Sequence, residues 1–463
     1  MINKSLGKTR TERFLADLCN STFLSVWSYP NPFNEEKKEF CDLIAIFENH
    51  MFIFFDREKH IKDDFLDNAE TIWDRWYRNV IEAQIKTCNG AERYIRNSGK
   101  LFLDAEIKIP FPLVYDPANI SIHKIIIAHG AVDACKAISS ENVNGSLGIS
   151  YRSIENTERE YSFPFMIRLD RDNPIHVFDS HNVPIIFAEL DTFFDFTSYI
   201  VAKEKAIHLY DLLSYCGEED LLAHYFMNYD SNENSHYIGT NRENVNAIMI
   251  GEGEWNDFVK TPAYLSKQKA NKVSYMWDRL IQKTCANALS GRLGGNYELF
   301  RGKSAIYEMA KEPRFSRRAL SEHMIASINN FPITNHYVTR NMSFMPSFYP
   351  NKAYVFLQLK AGSGKERVPQ YREIRKFMLS IACGAAKWKF PNLEIVVGIA
   401  VEPPKLYRNI SEDFVLFDCK TLTEDEEKYY REENAKEGMG FFLSNNLVMK
   451  KKQAREFPNE DLR

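Results

Sequence analysis

Three carboxylates gather around one short apolar hairpin in the segment EFCDLIAIFENHMFIFFDREKH: Asp42 near its start, then Asp56 and Glu58 at its end. Two apolar runs, Cys41–Phe47 and Met51–Phe55, flank the polar residues Glu48, Asn49 and His50, which is the pattern of a β-hairpin. With a three-residue loop over 48–50, Phe47 pairs with Met51 and Asp42 falls directly opposite Asp56, their Cβ atoms roughly 4.5–5.5 Å apart. Glu58, two residues past Asp56, faces the same way. A two-residue loop would shift the register by one and send Asp42 and Asp56 to opposite faces. Three like charges in a half-buried place repel one another and are tolerated when a cation lies between them. Carboxylate oxygens suit Mg²⁺ or Mn²⁺, and such an ion activates water and neutralises charge on a phosphodiester under in-line attack.

The elements that must position these acids are legible on either side. Residues 9–22 read as an amphipathic helix with Phe14, Leu15 and Leu18 as its apolar stripe and Thr9 or Thr11 as its cap. Glu12 lies on this helix and reaches the same acids if the helix packs across the hairpin end. A short strand is expected at Phe23–Tyr29, before the turn Pro30-Asn31-Pro32. Both hairpin runs are apolar at nearly every position, so the sheet is expected to be covered on both faces. A long helix follows over 67–96, with Trp73, Trp76, Val80, Gln84, Cys88, Ala91 and Ile95 recurring at spacings of three and four. A further strand over 121–128 ends at His129-Gly130, where the histidine reads as a strand terminator.

A helix carrying Glu12, a hairpin strand carrying Asp42, a second strand carrying Asp56, then a helix and a strand: over about the first 130 residues this order resembles the metal-dependent core of the restriction-endonuclease-like nucleases, the PD-(D/E)XK superfamily. The resemblance implies an α/β fold with a mixed sheet flanked by helices, and hydrolysis of phosphodiester bonds with Mg²⁺ or Mn²⁺ held by Glu12, Asp42, Asp56 and Glu58. It implies nucleic acid as the partner, with DNA ahead of RNA, a setting in restriction or phage defence, and a homo-oligomer, because many such nucleases dimerise. One position departs from the motif. Glu58 stands where the family has the lysine that positions or deprotonates the attacking water, so Glu58 is expected to help hold metal or to take the proton. Lys86 or Lys38 would then supply a displaced ammonium, while Lys59 points to the other face. Some family members place a helix glutamine near the site, which makes Gln84 a candidate. Two other readings stay open: the same fold without its lysine, binding nucleic acid or a protein partner and cutting nothing, and an unrelated α/β interaction protein whose acids cap strands.

The chain has 463 residues, enough for two or three domains, and 44% hydrophobic with 13% aromatic content fills a large core. A nuclease domain with an extension is expected over 1–205. Residues 206–463 are expected to form a second part, mainly helical over 206–330 and ending in a small α/β unit with strands at 353–359 and 393–401 and a helix near 369–387. A net charge of -4 gives no global pull onto nucleic acid, so any positive surface must be local. Lys311, Arg314, Arg317 and Arg318 form one such set, readable as a phosphate contact or as a charged surface helix. No apolar run approaches a membrane span, and the N-terminus lacks a signal-peptide pattern. The 8 cysteines form no CxxC pair, against a zinc ribbon or a secreted disulfide framework. A cytoplasmic protein is expected.

Overall fold

The left-handed backbone of Glu48 (φ 51°) closes the hairpin in two residues instead of three. Phe47 pairs with His50 and Leu43 with Phe54, so Asp42 and Asp56 are not cross-strand partners and the expected register is off by one. Residues at the first position of such turns are usually Gly, Asn or Asp, and a glutamate there hides the turn from a sequence reading.

The computed structural model describes residues 5–61, 68–138, 144–153, 164–289, 304–362, 367–407, 411–443 and 455–458. The chain divides into two compact units, 2–265 and 266–461. Residues 206–265, assigned by sequence to the second part, fall in the first unit.

Helix α1 (Arg10–Thr22) begins at Thr9, whose hydroxyl accepts from the Glu12 amide, and buries Leu15, Ala16, Cys19 and Thr22. Phe14 is largely exposed rather than part of the apolar stripe. The expected strand at Phe23–Tyr29 is instead a single helical turn α2 (Leu24–Trp27) and strand β1 (Ser28–Pro30). Strand β2 (Phe33–Asn34) leads to β3 (Leu43–Phe47) and β4 (His50–Glu58). The long helix is present as α3 (Ala69–Tyr77) and α4 (Ala83–Arg96), joined through a π-turn at Arg78–Glu82. Trp73 and Trp76 stack within the core on its inner face. The short strand β5 (Leu101–Phe102) pairs with β2, and β6 (Ser121–His129) follows.

After helix α5 (Val132–Ile138) come β7 (Gly148–Arg152), β8 (Met166–Asp170), β9 (His176–Asp179), α6 (Asn182–Glu189) and α7 (Phe193–Leu209). Five strands form one sheet in the order β1-β3-β4-β6-β9. β3 is antiparallel to its neighbours β1 and β4, and β4, β6 and β9 run parallel. Every residue of β3 is buried, as is the middle of β4, so both faces are covered as the continuous apolar runs require. A second sheet places β10 (Leu212–Tyr215) between β7 and β13 (Ala247–Ile250), with helix α8 (Glu218–Met227) after β10. This pairing is what draws 206–265 into the first unit. Between α8 and β13, β11 (Tyr229–Asp230) and β12 (Ser235–His236) form a small ladder.

The unit 266–461 holds a four-stranded sheet, β14 (Val338–Pro346), β15 (Lys352–Ala361), β16 (Ile395–Val401) and β17 (Glu412–Asp418), with the helix Tyr371–Lys389 packed on it. Arg314, Arg317 and Arg318 are buried, not on a surface helix. Arg314 and Arg317 lie 2.6 and 2.7 Å from the Asp278 carboxylate. Arg314 and Arg317 are spent on this buried ion pair, so neither sequence reading holds for these two.

Phe23, fully buried, touches the rings of Phe52, Phe54, Phe187, Phe193 and Phe196 and ties the hairpin to α6 and α7. Phe23→Ala is expected to destabilise the first unit by about 3–5 kcal/mol. The check is the urea midpoint of the variant against wild type by near-ultraviolet circular dichroism.

Candidate metal centre and proton relay at the sheet end

Asp42 lies in the bend just before β3, and there its side chain does what a strand backbone would otherwise do. Its amide donates to the Phe54 carbonyl at 3.1 Å, and its Oδ2 accepts from the Asp56 amide at 2.6 Å. The carboxylate is thereby fixed against the sheet despite the shifted register. Glu12 comes from the first turn of α1 and Glu39 from the loop before the hairpin. One carboxylate oxygen from each of Glu12, Glu39 and Asp42 lies within 4.8 Å of the others. At an effective dielectric of about 20, two charges at that separation repel by about 3.5 kcal/mol.

The neighbours offset part of this repulsion. Asn31 is buried and held in a left-handed conformation (φ 48°) between two prolines. Its amide nitrogen donates to Glu12 Oε2 at 3.1 Å and to Glu39 Oε1, and its carbonyl oxygen accepts from Ser5 at 2.8 Å. Lys8 pairs through Nζ with Glu39, and the Lys8 amide donates to Glu12 Oε2 at 2.7 Å. Burial first, and then the charges of Glu12, Asp56 and Glu39, raise the Asp42 carboxyl to about 7, although the Asp56 amide pulls the other way. Without a cation the cluster therefore relieves itself by holding a proton on Asp42 near neutral pH.

Asp56 does not add its carboxylate to this cluster. Its Oδ2 accepts from the Thr11 hydroxyl and its Oδ1 faces His129 Nε2 at 2.8 Å. The other ring nitrogen, Nδ1, lies 2.7 Å from Ser180 Oγ. In the neutral ring whose Nε2 donates to the Asp56 carboxylate, Nδ1 accepts from the serine hydroxyl. The relay Asp56–His129–Ser180 crosses β4, β6 and the end of β9, three adjacent parallel strands, at their C-terminal ends. Ligands of open α/β sheets bind at that end. Gly130 makes the turn after His129 possible: it has φ 95°, and a Cβ there would sit 2.3 Å from the Lys59 carbonyl oxygen.

A serine bonded to a histidine bonded to an aspartate suggests a nucleophile. A serine hydrolase also needs free donors for the oxyanion. The two amides that follow Ser180, those of His181 and Asn182, both donate to Asp179 Oδ1, at 2.8 and 3.0 Å. These two amides are therefore not free to receive an oxyanion at Ser180.

Of the acids expected in the site, Glu12 and Asp42 converge and Asp56 stands beside them through its amide. Glu58 does not join. It is the last residue of β4, its side chain 45% exposed, with Oε1 3.1 Å from His60 Nε2. Gln84 is half-exposed on α4 and makes no hydrogen bond to the acids among the described residues. Lys86 is exposed, and Lys38 pairs with Glu36 on the surface. The ammonium at the cluster belongs to Lys8. Glu39, Asn31, Lys8, Thr11 and Ser180 were missed by sequence, and His129 was set aside as a strand terminator. Glu39, three residues before Asp42 in a run of charges, carried the one local signal.

The donor set fits a hard divalent cation: three carboxylates from three separate segments, one of them, Asp42, raised to about 7 first by burial and then by its acidic neighbours. A buried acid whose folded value is raised destabilises the fold as pH rises from the unfolded value, about 4, to about 7. Asp42→Asn keeps an oxygen for the Asp56 amide and removes the charge. In chelator, its thermal stability relative to wild type is expected to be unchanged below pH 4, to grow through pH 4–7, and to level off above at a gain on the order of 2–4 kcal/mol. Melting curves across that pH range check it.

Comparison with protein-family models, with curated proteins and with solved structures finds no match to this chain.

Proposed function

We propose that the chain is a metal-dependent nuclease that hydrolyses phosphodiester bonds, with DNA as its first substrate class. The observation that carries this reading is the convergence of Glu12, Glu39 and Asp42 beside the Asp56–His129–Ser180 relay at the C-terminal end of parallel strands. The order of elements supports the restriction-endonuclease-like resemblance: a helix with an acid, a hairpin with Asp42 and Asp56, a long helix, and a strand parallel to the second hairpin strand. The biological setting suggested by that resemblance is restriction or phage defence, with a homo-oligomer as the working form.

In this reading Glu12, Glu39 and Asp42 hold one Mg²⁺ or Mn²⁺. Such an ion, when bound, would acidify a water and neutralise charge on the phosphate. The protein's own groups do the rest. Asp42 gives up its proton when the cation is held. Asp56 fixes the His129 tautomer, and His129 receives a proton at Nδ1 once the Ser180 hydroxyl turns away or relays it. Lys8 takes the part that the family gives to the motif lysine, holding Glu39 and a positive charge at the edge of the cluster.

A second reading is favoured by one specific observation. The motif-lysine position is Glu58, exposed and turned to His60, which suits a nuclease-like module that binds nucleic acid or a protein partner without cutting. Among the described residues no helix is long and apolar enough to cross a membrane.

Cleavage of plasmid and single-stranded DNA in Mg²⁺, Mn²⁺ or chelator separates the two. The nuclease reading expects metal-dependent nicking that falls at least about 100-fold in Asp42→Asn and in Glu12→Gln, and roughly 100-fold in His129→Ala. A folded wild type that cuts nothing in either metal, on either substrate, would put the binding module first.

A further inference from the structure

Histidines also gather at the opposite end of the same parallel strands. His50 opens β4, His123 lies near the start of β6, and His176 opens β9. Six residues of extended strand separate His123 from His129, about 20 Å, so this place is distinct from the acidic cluster. Glu204 enters from helix α7. Its Oε1 is 2.8 Å from His123 Nδ1 and 3.1 Å from His176 Nε2. The side chains of His123 and His176 are 2% and 0% exposed, while Glu204 keeps 26% and so an opening to solvent.

We propose that His123, His176 and Glu204 form a zinc site that clips α7 to strands β6 and β9. One ligand atom from each of the three lies within 4.8 Å of the others. Zinc bonds nitrogen at about 2.0–2.1 Å, which puts ligand atoms of a tetrahedron about 3.4 Å apart, so the two histidine-to-Glu204 separations of 2.8 and 3.1 Å would open by about 0.3–0.6 Å. Two imidazoles and a carboxylate select a borderline transition metal such as Zn²⁺ over Mg²⁺ or Ca²⁺. Water at the exposed side of Glu204 completes four ligands.

A further observation points the same way. His123 Nε2 is 2.9 Å from His50 Nδ1, so the ring that would ligate through Nδ1 has an outer partner on its other nitrogen, as metal-bound histidines do. His176 Nδ1 is buried without a hydrogen-bond partner among the described residues. The nitrogen that faces Glu204, and that would ligate, is the other one, Nε2. The neighbouring cation does not compete. Lys203 is fully buried and paired with Glu218 at 2.7 Å. Phe52 stacks on the His123 ring at 4.7 Å and closes the apolar side.

The test uses the full chain, freed of metal with a chelator and titrated with ZnCl₂ by calorimetry, and with CoCl₂ by visible absorption. One Zn²⁺ per chain is expected, with four-coordinate Co²⁺ absorption and a rise of about 5 °C or more in the unfolding midpoint in excess Zn²⁺. His176→Ala should weaken binding at least 100-fold and abolish the rise, while Asp42→Asn retains both. Where His176→Ala does not fold by circular dichroism, Glu204→Gln gives the same decision. No binding by the wild type overturns the proposal. So does binding that survives His176→Ala or Glu204→Gln, or that disappears in Asp42→Asn.

Discussion

The hydrogen bond from the Asp56 amide to the Asp42 carboxylate is the constraint on which the acidic site depends. It spends a main-chain donor of a central strand on a side chain, and so fixes a charged group at the covered end of the sheet. Everything nearby answers to that placement. Asn31 is strained into a left-handed conformation to donate to Glu12 and Glu39, and Lys8 comes up against Glu39. Thr11 and His129 turn the Asp56 carboxylate away from the cluster. Burial, and after it the charges of Glu12, Asp56 and Glu39, raise the Asp42 carboxyl despite these donors.

The three parallel strands organise both ends of the first unit. At their N-terminal ends β4, β6 and β9 carry His50, His123 and His176. At their C-terminal ends the same strands present Asp56, His129 and Ser180. Because the strands are in register and buried on both faces, polar residues survive only at their ends, and at each end they meet across the sheet. Chemistry is thus concentrated at the two rims while the apolar centres of β3, β4 and β6 supply the core.

Much of this was legible in the sequence, for local reasons. The cap at Thr9, the two apolar runs, the long helix and the strand before His129 each announce themselves through spacing or capping within a few residues. Glu12 and Asp42 followed from the order of elements. What was not legible depended on single backbone angles or on distant partners. Glu48 accepted a positive φ that its type does not advertise, and one residue of register moved Asp56 out of the acid cluster. Glu39 and Lys8 enter through loops. Ser180 reaches His129 only because β9 pairs beside β6. Arg314 and Arg317 read as surface charge because Asp278, which neutralises them, lies 36 and 39 residues away.

The central claim is that Glu12, Glu39 and Asp42 together hold a divalent cation. Crystals of the full chain grown near pH 7.5 and soaked in MnCl₂, with diffraction recorded near the manganese absorption edge, test it most directly. The account predicts an anomalous peak among the three carboxylates that is absent from crystals of Asp42→Asn. Manganese bound only elsewhere, or a cluster that keeps the Asn31 bridge with no peak at saturating metal, would contradict it.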